Sequence, residues 1–397
     1  MSNDFEVLKY RLINLLRATL KHIKICPDCR YYDEKIDELH HRVLKARKIS
    51  GLRKLLQPLT EISSVLSGCR HCEHLVETFY DLEHELESYF KEERPSVIAE
   101  EEQWLSLEEL EHLIRTKYPF PISYSYKNME RVSEPQKINV LINIFDVAAR
   151  YICYILLADV HLRYPDIKED VPFQKMHRPD LGKRGIHGIV ERIHVLIPRD
   201  NQFVRGLTDG FLKAQPEYQK LYHLRCRDRH GTYLFAGLSE TEKVDLYKRH
   251  LGLLRRFLER LKILTEYRLA VAESPVEYEA DTRSMIYKIT ICVGDDPDFS
   301  SPQNINIALQ DLLPNNRVIL INDLNSFEPD NVLQLYPFIV TWVDERSHRR
   351  DLLLYHHYNK DEGTFEFFRT FASNVQIAEQ NDKELYNSLY RIILART

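Results

Sequence analysis

The stretch QKINVLINIFDVAARYICYILLADVHLRY, residues 136–164, decides the fold. Its Ile138, Leu141, Phe145, Ala149, Ile152 and Leu156 recur at three- and four-residue spacing and so share one face of a helix. Pro135 stands near its start, where a missing N–H costs nothing, and Pro165 just past its end, where helices stop. The longest apolar run within it, Tyr151 to Val160, is about half of the roughly 18 residues a membrane span needs. A helix packed in a bundle is expected, with no membrane partner.

Toward the C-terminus, helices are expected around 184–197, 201–214, 216–229 and 239–267, the last opened by the capping box Ser239-Glu-Thr-Glu242. From about 276 the texture changes. Residues 285–293, 317–321, 338–343 and 351–355 are β-branched or aromatic and separated by Asp, Pro, Ser and Asn, the pattern of strands; a helix from about Lys383 closes the chain. Toward the N-terminus, Lys91-Glu-Glu-Arg-Pro95 and Glu100-Glu101-Glu102 read as a linker. Before it, Leu8, Leu12, Leu15, Leu16 and Leu20, then Leu39, Val43 and Leu44, repeat the helical habit. The expected fold is mainly α with an α+β C-terminal domain: a helical domain over 1–98, a helical bundle over 103–270, and a small mixed β-sheet domain over 276–397 suited to partner or ligand recognition.

Composition bounds the function. With 55 Lys+Arg against 60 Asp+Glu in 397 residues the net charge is −5, which excludes a uniformly basic nucleic-acid coat. Only 12 glycines occur, and neither dinucleotide nor P-loop glycine motifs nor a G-x-S-x-G elbow is present. The chain opens Met-Ser-Asn-Asp, polar where a signal peptide is apolar, and its seven cysteines are odd in number. A reducing cytoplasm is the expected compartment.

Four of those cysteines form two C-x-x-C pairs, Cys26-Pro-Asp-Cys29 and Cys69-Arg-His-Cys72. Two such pairs supply the four thiolates of a structural Zn²⁺ site, a complete shell with no open position for water. His22, His71 and His74 lie near enough to replace one cysteine. A thioredoxin-like dithiol wants a βαβ setting that this helical region lacks, and four plain thiols are the other alternative.

The second dense cluster is Leu224-Arg-Cys-Arg-Asp-Arg-His-Gly231. Between Lys220 and Lys262 eleven Lys/Arg face five Asp/Glu, a local balance of +6 that marks a phosphate-type partner. Arg227, Arg229, Lys248 and Arg249 are the candidate nucleic-acid contacts. A cationic helix end followed by glycine would produce part of the same pattern without any ligand.

Arg225 and His230, with four residues between them and Gly231 after, resemble the Arg-x₄₋₆-His motif of the HEPN superfamily of helical-bundle proteins. The resemblance extends over about 105–267: Tyr118-Pro-Phe-Pro121 before the 136–164 helix, Leu181-Gly-Lys183 before the next, then the motif and a closing helix. It implies a metal-independent ribonuclease in prokaryotic defence or toxin–antitoxin systems. Arg225 would hold the scissile phosphate with its guanidinium fork, and His230 would serve as general acid or base around attack by the ribose 2′-hydroxyl. In active members the residue after the motif arginine is commonly Asn or another polar residue; here it is Cys226. Five helical residues turn through about 500°, which leaves the two side chains roughly 140° apart. Either the helix ends before His230 or, as the resemblance implies, a homodimer completes the site. The alternative function is a non-catalytic adaptor or sensor that uses the bundle to dimerise or to bind a protein partner.

Overall fold

The structure is a computed structural model. It describes residues 2–46, then 52, 55, 58, 59, 62, 66, 72 and 75, then 104–177, 181, 182, 185–227, 237–280, 284–296, 303–308, 316–323, 331–343, 350–370, 375–378 and 383–394. The chain divides into two compact units, Met1–Gln103 and Trp104–Thr397.

In the first unit, α1 (Ser2–Ile23) and α2 (Asp33–Lys45) form a hairpin. Lys9 Nζ donates to Ala46 O at 2.7 Å, which sets the start of α1 beside the end of α2. Leu12, Leu15, Leu16 and Ile23 meet Ile36, Leu39 and Val43 in one core with Leu52, Leu55, Leu59, Leu66 and Leu75. Burying each such side chain is worth about 1.5–3 kcal/mol. Leu44, grouped with Leu39 and Val43 by spacing, is 41% exposed because it sits one residue, about 100°, off the buried stripe.

The second unit is built round one helix. Two helices precede it, α3 (Leu107–Lys117) and α4 (Phe120–Lys127), followed by α5 (Lys137–Arg163). Every residue of α5 from Ile144 to Val160 is buried. An apolar stripe on one face understates this: the helix is covered on all sides. It is long and apolar enough to cross a membrane, with a mean hydropathy of 1.8, and 89% of that window is buried inside the protein. The helices packed against it are α4, α6 (Ile186–Leu196), α8 (Gln215–Arg227) and α9 (Glu240–Arg260), and α7 (Leu207–Lys213) packs on α6, α8 and α9. The box at the head of α9 is present, with Glu242 N donating to Ser239 Oγ at 3.3 Å and Ser239 N to Glu242 Oε2 at 2.8 Å.

Where helix was expected to run to 267, α9 stops at Arg260, a short 3-10 turn follows, and Arg268 opens a strand. Nine strands follow in the described residues. They are β1 (Arg268–Glu279), β2 (Ser284–Ile291), β3 (Gln303–Ala308), β4 (Arg317–Ile321), β5 (Val332–Gln334), β6 (Ile339–Val343), β7 (Arg350–Asn359), β8 (Thr364–Arg369) and β9 (Val375–Ala378). They form two sheets, ordered β3-β2-β1-β4-β5 and β6-β7-β8-β9. All pairings among these strands are antiparallel, which corrects the mixed sheet expected from sequence. For the consecutive strands that pair, the cause is the shortness of the connections, since parallel neighbours need crossovers of a dozen residues or more. The closing helix, α10 (Lys383–Leu389), lies where expected.

The division expected at 270–276 falls inside β1. Alternation along that strand sends Leu269 and Val271, with Val318, Leu320 and Leu333, into the core of the helices, and Ala270 and Ala272, with Tyr287, Ile289, Ile319 and Ile321, into a second cluster. The backbone also ties helices to sheet: Phe120 N donates to Cys292 O at 3.0 Å and Gly294 N to Tyr118 O at 2.9 Å. Tyr154 of α5 stacks on Phe338 at 5.7 Å. By packing, bundle and sheets are one unit.

Candidate functional site

The motif arginine lies at the contact of α8 with α5. Asp146 and Arg150 stand one turn apart on α5, in the middle of its buried stretch. Arg150 Nε donates to Asp146 Oδ1 at 2.7 Å and Arg225 Nε donates to Asp146 Oδ2 at 3.2 Å, so one carboxylate is shared by two guanidinium groups. The three residues are 4–5% exposed. Arg150 reaches further and donates through Nη1 to the backbone oxygen of His356 in β7 at 3.1 Å. One turn along, the Tyr154 hydroxyl donates to the oxygen of Tyr355. Burial works against the charge on Arg150, and the Asp146 carboxylate with Tyr154 outweighs it and holds the guanidinium above its ordinary value. Asp146 is the ion partner of Arg225, and the two Nη groups of Arg225 make no hydrogen bond among the described residues.

The remaining expected residues are placed as follows. Arg227 ends the described part of α8, while Arg229 and His230 lie outside the described residues. Cys226 is buried. Lys248 and Arg249 are exposed on α9. The +6 stretch is not a bare cationic face, because acids from elsewhere in the chain answer it. Asp146 takes Arg225, Glu111 takes Arg255 at 2.5 Å, and Glu217 approaches Arg256 at 3.6 Å. Arg260 lies over the Trp104 ring at 4.5 Å. Apolar spacing alone does not single out Asp146 and Arg150. The signal was there: two charges four residues apart inside an apolar helix have to be buried as a pair. His356 and His357 are neighbours on β7 that a regular strand would turn to opposite faces. A register shift between Tyr355 and His357 leaves both half-buried.

In the first unit, Cys26, Cys29 and Cys72 converge. Their sulfurs lie within 4.8 Å of one another, and the three residues are 3%, 1% and 0% exposed. Cys26 and Cys72 sulfurs are 3.5 Å apart, far beyond a disulfide bond and close to the edge of about 3.8 Å for a tetrahedron of four sulfurs at about 2.3 Å from zinc. The chain folds back over 46 residues to bring them together. Such a thiol set could hold a metal ion. Cys69, the fourth expected ligand, lies outside the described residues.

No family model, curated protein or solved structure matches the chain.

Proposed function

We propose that this chain is an HEPN-like RNA-cleaving or RNA-binding component of a prokaryotic defence or toxin–antitoxin system, with Arg225 and His230 as its reactive pair. The observation that carries the reading is the hold on Arg225. Its Nε edge is committed to Asp146, which fixes the plane of the guanidinium and leaves the Nη edge to donate to two phosphate oxygens. In this reading the ribose 2′-oxygen attacks the adjacent phosphorus as the P–O5′ bond breaks, His230 takes the 2′-hydroxyl proton and delivers a proton to the departing 5′-oxygen, a 2′,3′-cyclic phosphate is left, and Arg225 stabilises charge on the phosphoryl oxygens without a metal. Lys248 and Arg249, with Arg227 and Arg229, would track the RNA backbone, and a second copy of the chain would complete the site. The N-terminal unit is stapled by Zn²⁺ on Cys26, Cys29, Cys72 and Cys69; the four-thiolate shell gives the metal a structural role.

One observation favours the adaptor reading instead. Arg225 is only 5% exposed and shares its carboxylate with a second buried arginine, the arrangement of a core ion cluster. Cys226 beside it points the same way.

Incubation of the purified protein with structured and single-stranded RNA, without added divalent metal and with EDTA, separates the two. Cleavage abolished by His230→Ala and by Arg225→Ala, with both variants still folded by circular dichroism, is the expected result. Cleavage that survives both substitutions, or that needs added metal, overturns the mechanism, and silence under all conditions favours the adaptor. For the staple, elemental analysis should find one zinc per chain, lost in Cys72→Ser; less than stoichiometric metal in freshly purified protein counts against it.

A further inference from the structure

A second set of ligands stands on α2, harder than the thiols. Asp37, His40 and His41 occupy positions i, i+3 and i+4 of that helix, so the carboxylate is the helical neighbour of both rings. One oxygen of Asp37 and one nitrogen of each imidazole lie within 4.8 Å of one another. His41 Nδ1 donates to the Asp37 backbone oxygen at 2.9 Å and lies 3.6 Å from Asp37 Oδ2, with the two side chains 60% and 56% exposed. The His40 ring meets that of His41 edge-on at 5.9 Å. Its Nε2 is shielded from solvent with no hydrogen-bond partner among the described residues.

The ligand chemistry narrows the occupant. Two imidazoles and one carboxylate suit Zn²⁺ and its neighbours in the first transition row, whereas Ca²⁺ and Mg²⁺ want six or more oxygens. Three ligands from one helix leave coordination positions for water, unlike the closed thiol shell. The exposure of Asp37 and His41, with the positive charge of Arg17 nearby, makes the ion exchangeable rather than buried and permanent. We propose that Asp37, His40 and His41 form an exchangeable, water-accessible Zn²⁺ site on α2, separate in chemistry from the cysteine cluster. The site stands whether or not the cysteines hold zinc.

The test titrates the full-length protein, after loading of any tight thiolate equivalent, with Zn²⁺ by calorimetry and with Co²⁺ by absorbance. One further and weaker equivalent is expected, removed at once by EDTA and giving no thiolate-to-cobalt charge-transfer band. Asp37→Asn and His41→Ala should each weaken it by about tenfold or more, since each removes one of three ligands, and leave the tight equivalent as it was. Both side chains are more than half exposed, so the fold survives their loss, and a melting curve checks this. The absence of a weak equivalent in the wild type overturns the proposal, as does its persistence at unchanged affinity in both variants. If the cysteines bind nothing, the weak equivalent is simply the first one observed.

Discussion

Removing the shared carboxylate by Asp146→Ala leaves two guanidinium groups facing each other at 4% and 5% exposure. Breaking a buried ion pair by deleting one partner costs about 3–5 kcal/mol, mostly because the survivor stays charged and dry. Here there are two survivors. Arg150 keeps the His356 carbonyl as an acceptor, while Arg225 keeps no partner among the described residues, so Arg225 carries the penalty. For a unit spanning residues 104–397, an unfolding entropy of about 2.1 cal/mol/K per residue converts each kcal/mol into about 1.6 °C of Tm. Asp146→Ala should therefore lower the melting temperature of this unit by roughly 5–8 °C. The companion variant discriminates. Arg225→Met keeps most of the side-chain volume and leaves Asp146 paired with Arg150, at a cost of about 1–2 kcal/mol in lost packing. Combining the two should be less damaging than Asp146→Ala alone, because the stranded charge is gone. Scanning calorimetry on the wild type, both single variants and the double gives the coupling directly. Additive losses, or a larger loss for Arg225→Met than for Asp146→Ala, would refute the idea that Asp146 is the compensating charge of Arg225.

Three further outcomes follow from other sites. His161, whose Nδ1 has no hydrogen-bond partner among the described residues, has its pKa lowered to about 4 by burial and by Lys168. The folded protein then binds fewer protons than the unfolded chain between about pH 6.5 and 4, so stability present above pH 6.5 is lost as pH falls through that window. His161→Gln should flatten that part of the Tm–pH curve, and an unchanged slope would count against the assignment. Gly294 has φ +80°, and an added Cβ would sit 2.8 Å from Arg115 O, a backbone atom that holds α3 against the sheet. Gly294→Ala should cost about 1–3 kcal/mol in urea unfolding; a neutral result would mean that the 118–120 and 292–294 contacts yield freely. His187 is fully buried with neither ring nitrogen hydrogen-bonded among the described residues, and its Nδ1 comes no closer than 3.5 Å to Glu191 Oε2. Its near-isosteric replacement by Leu should raise stability by about 1 kcal/mol, and a lower Tm would show that the ring is bonded in solution.

The helices were legible where a short-range period decides them. Ser239-Glu-Thr-Glu242 marks the head of α9 because both partners of the cap lie within four residues, and Gln136 to Tyr164 declares its helix by spacing and flanking prolines. The end of α9 was not legible. Residues 268–272 become strand because β2 and β4 pair with them from both sides, and both partners lie well downstream. That pairing also removes the domain boundary. A change of texture near 275 is real, yet β1 turns Leu269 and Val271 into the helical core, and no local pattern states which face of a strand meets which helix.

The site divides along the same line. A C-x-x-C pair advertises itself, and convergence of Cys72 on Cys26 required only that the helices fold back. Charge in the 220–262 stretch misled for a physical reason. A potential is set by what stands within about a Debye length in space, roughly 8–10 Å, whereas a sequence window counts neighbours along the chain. Glu111, Asp146 and Glu217 all lie outside that window and all fall beside its arginines. With the exposed Arg256 answered by Glu217, what survives on α9 as exposed cation without an acidic partner among the described residues is the Lys248–Arg249 pair at its middle, rather than a basic belt. A phosphate approaching this surface would meet two exposed charges and one buried guanidinium already oriented by a carboxylate. Of these, only the oriented one can tell a transition state from a ground state, since a flexible surface lysine follows either equally well. Any RNA chemistry here therefore stands or falls on Arg225, and replacing Lys248 and Arg249 together should raise KM while leaving kcat unchanged.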